Sequence, residues 1–291
     1  MKIAFLHNPN SGQRPMEWMQ AVRRDCVAHE LVEFNLLERD DYCEDTFDLI
    51  LIAGGDGTVN RVVSRLIETN VETPIGVIPA GTANDYATHL KVPQDINKCI
   101  PALLSGRQRK LDVGLANGRV FINICGVGNF MESNIGHNRD TKKAWGKLAY
   151  YWQGIEKFFK VRPCKLRIKA DGKRIKGKFY TVMAMCGTSA GGFAEMAKDA
   201  KSDDGLLDFI GIRAVPIIEL PLLFLKIILG KHLKDRRILH FQASEIKIEK
   251  RTRRNKKFDI SNIDGEEGPH LPLKISLLLK KITVIDCGIL G

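Results

Sequence analysis

The sequence predicts an α/β part joined to a β part: an amino-terminal parallel sheet covered by helices, followed by an antiparallel β-sandwich. Residues 1–105 alternate short apolar strands with helical spacing, and such alternation means a parallel sheet with both faces covered. From about residue 110 the texture changes to alternating, β-branched runs broken by Asn117-Gly118 and Asp171-Gly172, the dipeptides that close tight hairpins. Charge divides near the same place. Residues 1–100 hold 9 Lys and Arg against 15 Asp and Glu, net −6, and the rest hold 36 against 19, net +17. Such asymmetry gives the two regions different partners, the second of them anionic.

In order, KIAFLHN (2–8) reads as a strand, followed by NPNSG and a helix entered near Pro15. HELVEFN (29–35) and DLILIA (48–53) are the next strands. Val59, Val62, Val63, Leu66 and Ile67 mark a helix after GGDGT, IGVIPA (75–80) is a fourth strand, and PAGTAND leads into another helical stretch. Ile96, Ile100, Leu103 and Leu104 mark one more helix, ended by Gly106. The two hairpins follow, with a helical, aromatic-rich stretch at 142–159 between them. ILHFQASEIKIEK, KKFDISNIDGE and LPLKISLLLKKITVID complete the β part.

Seven scattered cysteines with no C-x-x-C pair read as reduced thiols of a cytosolic chain. The opening residues lack the apolar run of a secretory signal. VPIIELPLLFLKIIL (215–229) is interrupted by Glu219, Pro221 and Lys226 and is shorter than the ~20 residues a spanning helix needs. It reads either as a core helix or as a helix lying at a lipid surface, since KHLKDRR follows it.

Function is concentrated in LILIAGGDGT (49–58). Ligands of an open parallel sheet sit beyond the carboxyl ends of its strands, and GGDGT lies there. Glycines let backbone N–H groups approach a phosphate, and the next helix N-terminus favours anions. An aspartate there suits a phosphate site when Mg²⁺ stands between them; otherwise Asp56 is a capping residue in a tight turn. Two further loops, Asn8-Pro9-Asn10-Ser11-Gly12 and Pro79-Ala80-Gly81-Thr82-Ala83-Asn84-Asp85, end strands at the same edge. Three such loops make a polyphosphate cradle. There is no G-x-x-x-x-G-K-[ST], no dinucleotide fingerprint after the first strand, and no H-E-x-x-H or C-x-x-C spacing.

AGGDGTVNRVV (53–63) with GVIPAGTANDYA (76–87), then KSDDGLLD (201–208) and NIDGEEG (262–268), resembles the diacylglycerol-kinase-like lipid kinases, in particular the small soluble bacterial members. With NPNSG in front, the resemblance covers essentially the whole chain. It implies a nucleotide domain resembling that of NAD kinases over residues 1–110, with the chain end (about 280–291) returning to it. A β-sandwich lipid-substrate domain would span 111–280, and the cleft between the two would be the active site. It implies ATP and Mg²⁺ as cofactors. Asn8, Pro9, Asn10, Ser11 and Gly12, the turn Gly54, Gly55, Asp56, Gly57, Thr58, Val59, Asn60 and Arg61, and Gly81, Thr82 and Asn84 would contact the nucleotide. Asp56 and Asp85 would organise Mg²⁺ near the transferred phosphate, and Glu266 would be the general base. Asp204 would hold a second, structural Mg²⁺ with the carbonyls of Lys201 and Leu206, Asp203 being the alternative ligand. Two positions depart from the family pattern: Arg61 stands where an acidic residue is common, and Thr88-His89 where an Arg is common.

The expected activity is transfer of the γ-phosphoryl of ATP to a lipid hydroxyl, diacylglycerol by default. The alternatives are a kinase of a soluble acceptor such as NAD, or a catalytically silent basic lipid-binding protein. KRTRRNKK (250–257) and the basic residues at 231–237 suit anionic headgroups, while no nucleic-acid recognition pattern accompanies them. The expected location is cytoplasmic, at the inner face of the membrane, with a homodimer left open. The aromatic cluster Trp145, Tyr150, Tyr151, Trp152, Phe158 and Phe159 is read as core or as a lipid groove.

Overall fold

Strand β1 (Lys2–His7) lies between β2 (Glu30–Asn35) and β3 (Leu49–Gly54), and β3 pairs onward with β4 (Ile75–Pro79), all in parallel. This arrangement comes from a computed structural model that describes residues 1–9, 15–128, 162–188, 196–197, 200–252 and 256–288. Strand β3 is buried along its whole length, which is why its sequence is a continuous apolar run. Helices α1 (Pro15–Asp25), α2 (Asp56–Glu68), α3 (Asp85–His89) and α4 (Ile96–Ser105) cover the sheet. The stripe Val59, Val62, Val63 and Leu66 buries α2 against it.

Beyond α4 the strands are β5 (Arg107–Ala116), β6 (Arg119–Phe121), β7 (Ile124–Gly128), β8 (Cys164–Ala170), β9 (Lys173–Met185) and β10 (Leu207–Arg213). Helix α5 (Leu220–Ile228) precedes β11 (Ile238–Ala243), β12 (Ile246–Lys250), β13 (Ile260–Ile263), β14 (Glu266–His270) and β15 (Leu273–Asp286). Pairing among β5–β15 is antiparallel throughout, and these strands form the β-sandwich. Asn117 and Asp171 take positive φ, each followed by a glycine that does the same, the backbone a two-residue hairpin turn requires.

Strand β15 joins the two parts. Its start pairs with β12 and its end pairs in parallel with β4 through Val284 and Ile75. Along its length it pairs with β5, with a register shift between Leu278 and Ile282 where Lys280 takes a positive φ. Ile282, Val284 and Ile285 accordingly belong to the core of the parallel sheet, while Leu273 and Ile275 belong to the sandwich core with Phe121, Phe179, Phe209 and Phe258.

Of the segment 215–229, Ile217–Glu219 forms a 3₁₀ turn and α5 follows. Leu220, Leu223 and Ile227 are buried in a third cluster with Tyr180, Met183 and Ile210, but Leu222 and Leu225 are exposed. The core reading therefore holds for the face of Leu220, Leu223 and Ile227, while the opposite face is open to solvent. Among the described residues no helix is long and apolar enough to cross a membrane. The aromatic stretch at 142–159, Asn10, Ser11 and Gly12, and residues 253–255 of the basic run lie outside the described residues.

Candidate active site

Two glycine-rich turns meet at the carboxyl ends of β3 and β4. A Cβ on Gly81 would run into the backbone of Gly55 and come within 2.7 Å of Asn84 Oδ1. Only glycine allows this approach. Asn84 holds the second turn: its Oδ1 accepts the Gly81 N–H at 2.8 Å, and its Nδ2 donates to the carbonyls of Pro79 and Gly81. It does so from a left-handed backbone (φ 54°), a conformation asparagine tolerates better than most residues.

Asp56 ties the first turn to the second. Its Oδ1 accepts the Tyr86 N–H at 2.8 Å and its Oδ2 the Asp85 N–H at 3.2 Å. The helix it caps is thus α3, not the helix α2 that it begins. Burial pushes its carboxyl above the ordinary range, against these backbone donors. Gly55, at the N-cap of α2, provides no side-chain cap, so the first turn of α2 presents bare backbone donors, as an anion site requires.

Glu266 comes to this place from the other end of the chain. A Cβ on Gly57 would lie 2.8 Å from its Oε1, so the carboxylate rests against the N-terminal turn of α2. Its side chain is 60% exposed, with Arg119 3.7 Å away. The adjacent turn is anchored by Asp264, a buried carboxylate that accepts the N–H groups of Ile122, Asn123 and Ile124 and the Nδ2 of Asn60 at 2.7 Å. Burial pushes Asp264 up to about 6, opposed by those donors.

The structure therefore brings together Gly54 to Thr58, Gly81 to Asp85 and Glu266. Thr58 packs on Gly54, Asp85 is buried, and Thr82 is exposed at the loop. Asn8 lies with His7, Trp18, Ala53 and Ala80 around a small cleft at the end of β1, and Pro9 follows it in sequence. Val59 and Asn60 face elsewhere. Val59 is in the core with its N–H bonded to the Gly55 carbonyl. Asn60 donates to Asp264 and to the Val120 carbonyl, and Arg61 is exposed.

Lys201, Asp204 and Leu206 lie on a separate loop. Asp204 is exposed and accepts the Leu206 N–H at 3.0 Å. Asp203 is committed to Arg109, which also binds Asp286, so Asp204 is the carboxylate on this loop without an ion pair among those described. Among the described residues no group of three His, Cys, Asp or Glu side chains surrounds a common cation position. One carboxylate with backbone carbonyls is still a hard-oxygen set of the kind Mg²⁺ takes.

Known proteins carry the same parts in the same order. Residues 2–116 match the family model described as diacylglycerol kinase catalytic domain, and residues 128–286 the one described as YegS C-terminal NAD kinase beta sandwich-like domain. A diacylglycerol kinase of Bacillus subtilis (strain 168) is 35% identical over 240 residues, 82% of this chain and 78% of its own. The chain belongs to the diacylglycerol-kinase-like lipid kinases. A diacylglycerol kinase of Staphylococcus aureus (strain MRSA252) is 31% identical to this kinase over 97% of the chain and 91% of its own length. A crystal structure of a diacylglycerol kinase from Bacillus anthracis superposes with a TM-score of 0.78 at 25% identity, covering 98% of this chain and 96% of that one.

Sequence reasoning missed several residues of this kinase. Asp264 has the outward form of a plain Asp-Gly turn, and its only signal was its place two residues before Glu266. His89, at the end of α3, joins Ser202 (2.6 Å) through Nε2 and Thr188 (3.2 Å) through Nδ1. It links α3, which follows the second glycine-rich turn, to the loop that carries Asp204. Burial, with Arg109 nearby, lowers its pKa to about 4.

Proposed function

We propose that this lipid kinase transfers the γ-phosphoryl of ATP to the free hydroxyl of diacylglycerol, with Mg²⁺. The contact of Glu266 with Gly57 carries this reading, because it sets a carboxylate beside a bare helix N-terminus at the phosphate turns. The backbone donors of Gly55, Gly57 and Gly81, with Thr58, Thr82 and the Asn8–Gly12 loop, would hold the triphosphate. Asp56 and Asp85 would hold Mg²⁺, carboxylates being hard oxygen ligands of the kind it takes. When bound, the metal supplies neutralisation of the phosphate charge. Asp204, with the carbonyls of Lys201 and Leu206, would hold a second, structural Mg²⁺.

Glu266 takes the proton as the acceptor O–H bond breaks, the new O–P bond forms, and the bond from the γ-phosphorus to the bridging oxygen breaks to release ADP. The nucleotide would occupy residues 1–110 with the chain end, and the lipid residues 111–280. The net +17 of residues 101–291 suits work at an anionic, inner-face membrane surface. The test is transfer from labelled ATP to diacylglycerol, phosphatidylglycerol, a sphingoid base and NAD. Diacylglycerol should be the preferred acceptor, and Glu266→Gln should lower kcat by about 10²–10⁴ with unchanged Tm. A fully active Glu266→Gln enzyme, or preference for NAD, would overturn the reading.

A further inference from the structure

Half of the large apolar side chains that the described residues expose fall in one short stretch: Ile218 (86%), Leu222, Leu225, Ile228 and Leu229, the other five being scattered. Ile218, Leu222, Leu225 and Leu229 follow helical spacing on one side, while Leu220, Leu223 and Ile227 hold the other side in the core. A helix that is apolar all round belongs inside a protein or in contact with lipid, and the outer side of α5 is not inside. Basic residues gather at its carboxyl end. Glu219 and Asp235 are the acidic residues there, and Arg237 binds both while Lys226 binds Asp235. This leaves Lys231 and Lys234 exposed, and Arg236, 88% exposed, only loosely placed 3.9 Å from Glu219.

We infer that the outer side of α5 with Lys231, Lys234 and Arg236 docks the kinase on the interface of an anionic bilayer. An apolar stripe edged by cations lies in the interface plane, its leucines at the acyl boundary and its charges at the headgroups. A second copy of the chain is the poorer occupant, because it would bring its own Lys231, Lys234 and Arg236 to the same rim. The surface is also joined to the site. His232, just after α5, bonds the Met196 carbonyl, and the Ala197 N–H bonds the Thr188 carbonyl. Thr188 in turn meets His89 of α3. Docking here sets the bilayer beside a set of contacts, His232 to Met196 and Ala197 to Thr188 to His89, that leads to α3. The inference rests on the lipid-kinase reading and says which surface delivers it to its substrate.

The test is co-sedimentation with vesicles of phosphatidylcholine and phosphatidylglycerol, alongside activity on water-soluble dihexanoylglycerol. The full chain should bind mixed vesicles and bind pure phosphatidylcholine less. The Leu222→Asp, Leu225→Asp double variant should lose at least about tenfold in vesicle affinity. Lys231→Gln, Lys234→Gln and Arg236→Gln should each lose about fivefold and weaken the salt dependence. All should keep wild-type kcat on dihexanoylglycerol, which also reports that they fold. Wild-type vesicle binding by the double variant overturns the inference. So does a dimer in sedimentation velocity that the double variant converts to monomer while vesicle binding is unchanged. Inactivity of the wild type on dihexanoylglycerol would instead refute the choice of acceptor, and the vesicle result would still decide the docking surface.

Discussion

Two buried groups titrate against each other in this fold. His89 falls from the ordinary 6.5 to about 4, first through burial and then through Arg109. Its neutral form is the one the fold accepts, so this contribution is whole above pH 6.5 and is lost as pH falls towards 4. Asp264 rises from 3.8 to about 6, burial outweighing its four donors. Its contribution is whole below pH 3.8 and is lost as pH rises through 6. Each change corresponds to about 3 kcal/mol, with opposite sign over nearly the same window. In the wild type these two contributions therefore largely cancel between pH 4 and 6. His89→Gln keeps a hydrogen-bonding side chain towards Ser202 and Thr188 but cannot titrate, so its Tm should fall relative to wild type as pH rises. Asp264→Asn should do the reverse. Each difference should reach roughly 5 °C across the window. Scanning calorimetry of the three proteins at several pH values reads the slopes, so any constant loss from the substitution drops out. The other shifted groups, among them His7, His232 and Asp56, are common to all three and cancel in the differences. Parallel profiles for all three proteins would refute the opposition.

Two glycines at the site should respond differently to the same methyl group. Gly57→Ala meets only the mobile end of Glu266, so Tm should hold, helped by the better helix former, while kcat falls about tenfold as the carboxylate is displaced. Gly81→Ala meets the Gly55 backbone and should cost about 1–3 kcal/mol and raise the KM for ATP; equal Tm values for the two variants would contradict this contrast. Asn60→Ala removes a donor from buried Asp264 and should cost about 1.5–3 kcal/mol together with much of kcat. Urea denaturation and steady-state rates measure both, and a loss below about 0.5 kcal/mol would remove Asn60 as an anchor.

The parallel sheet was legible because β3 and β4 are buried from end to end, and burial on both faces writes a continuous apolar run. The hairpins were legible because Asn117-Gly118 and Asp171-Gly172 answer a backbone demand few other pairs meet. Helix α5 was legible as a helix but its buried face was not, since apolar residues on both sides give periodicity little to distinguish. The partners of Asp56 were also hidden. They are backbone N–H groups, which every residue but proline has, supplied by a helix 29 and 30 residues further on. Asn60 illustrates the same limit from the other side. Its position in GGDGTVN placed it among nucleotide contacts, and only the fold shows its amide turned to Asp264.

That turn of Asn60 changes where Glu266 belongs mechanically. By sequence Glu266 is part of the sandwich half, yet the turn that carries it hangs from Asp264, which is bonded to α2 through Asn60 and to the backbone of 122–124. The Asp204 loop is secured elsewhere. Buried Asp112 accepts the Gly205 N–H with one oxygen and the Lys280 N–H with the other, and its own N–H bonds the Ser202 carbonyl. Lys280 sits in the irregularity of β15, and bulges are where long strands bend. A bend of β15 there would carry the Asp204 loop along through Asp112 while leaving Glu266 fixed on α2. The turn that carries Glu266 and the first glycine-rich turn are thus tied to the same helix, α2, so the proposed base stands at the proposed phosphate site before any acceptor arrives. On that reading the lipid hydroxyl would be brought to it, the task proposed for the docking surface on α5.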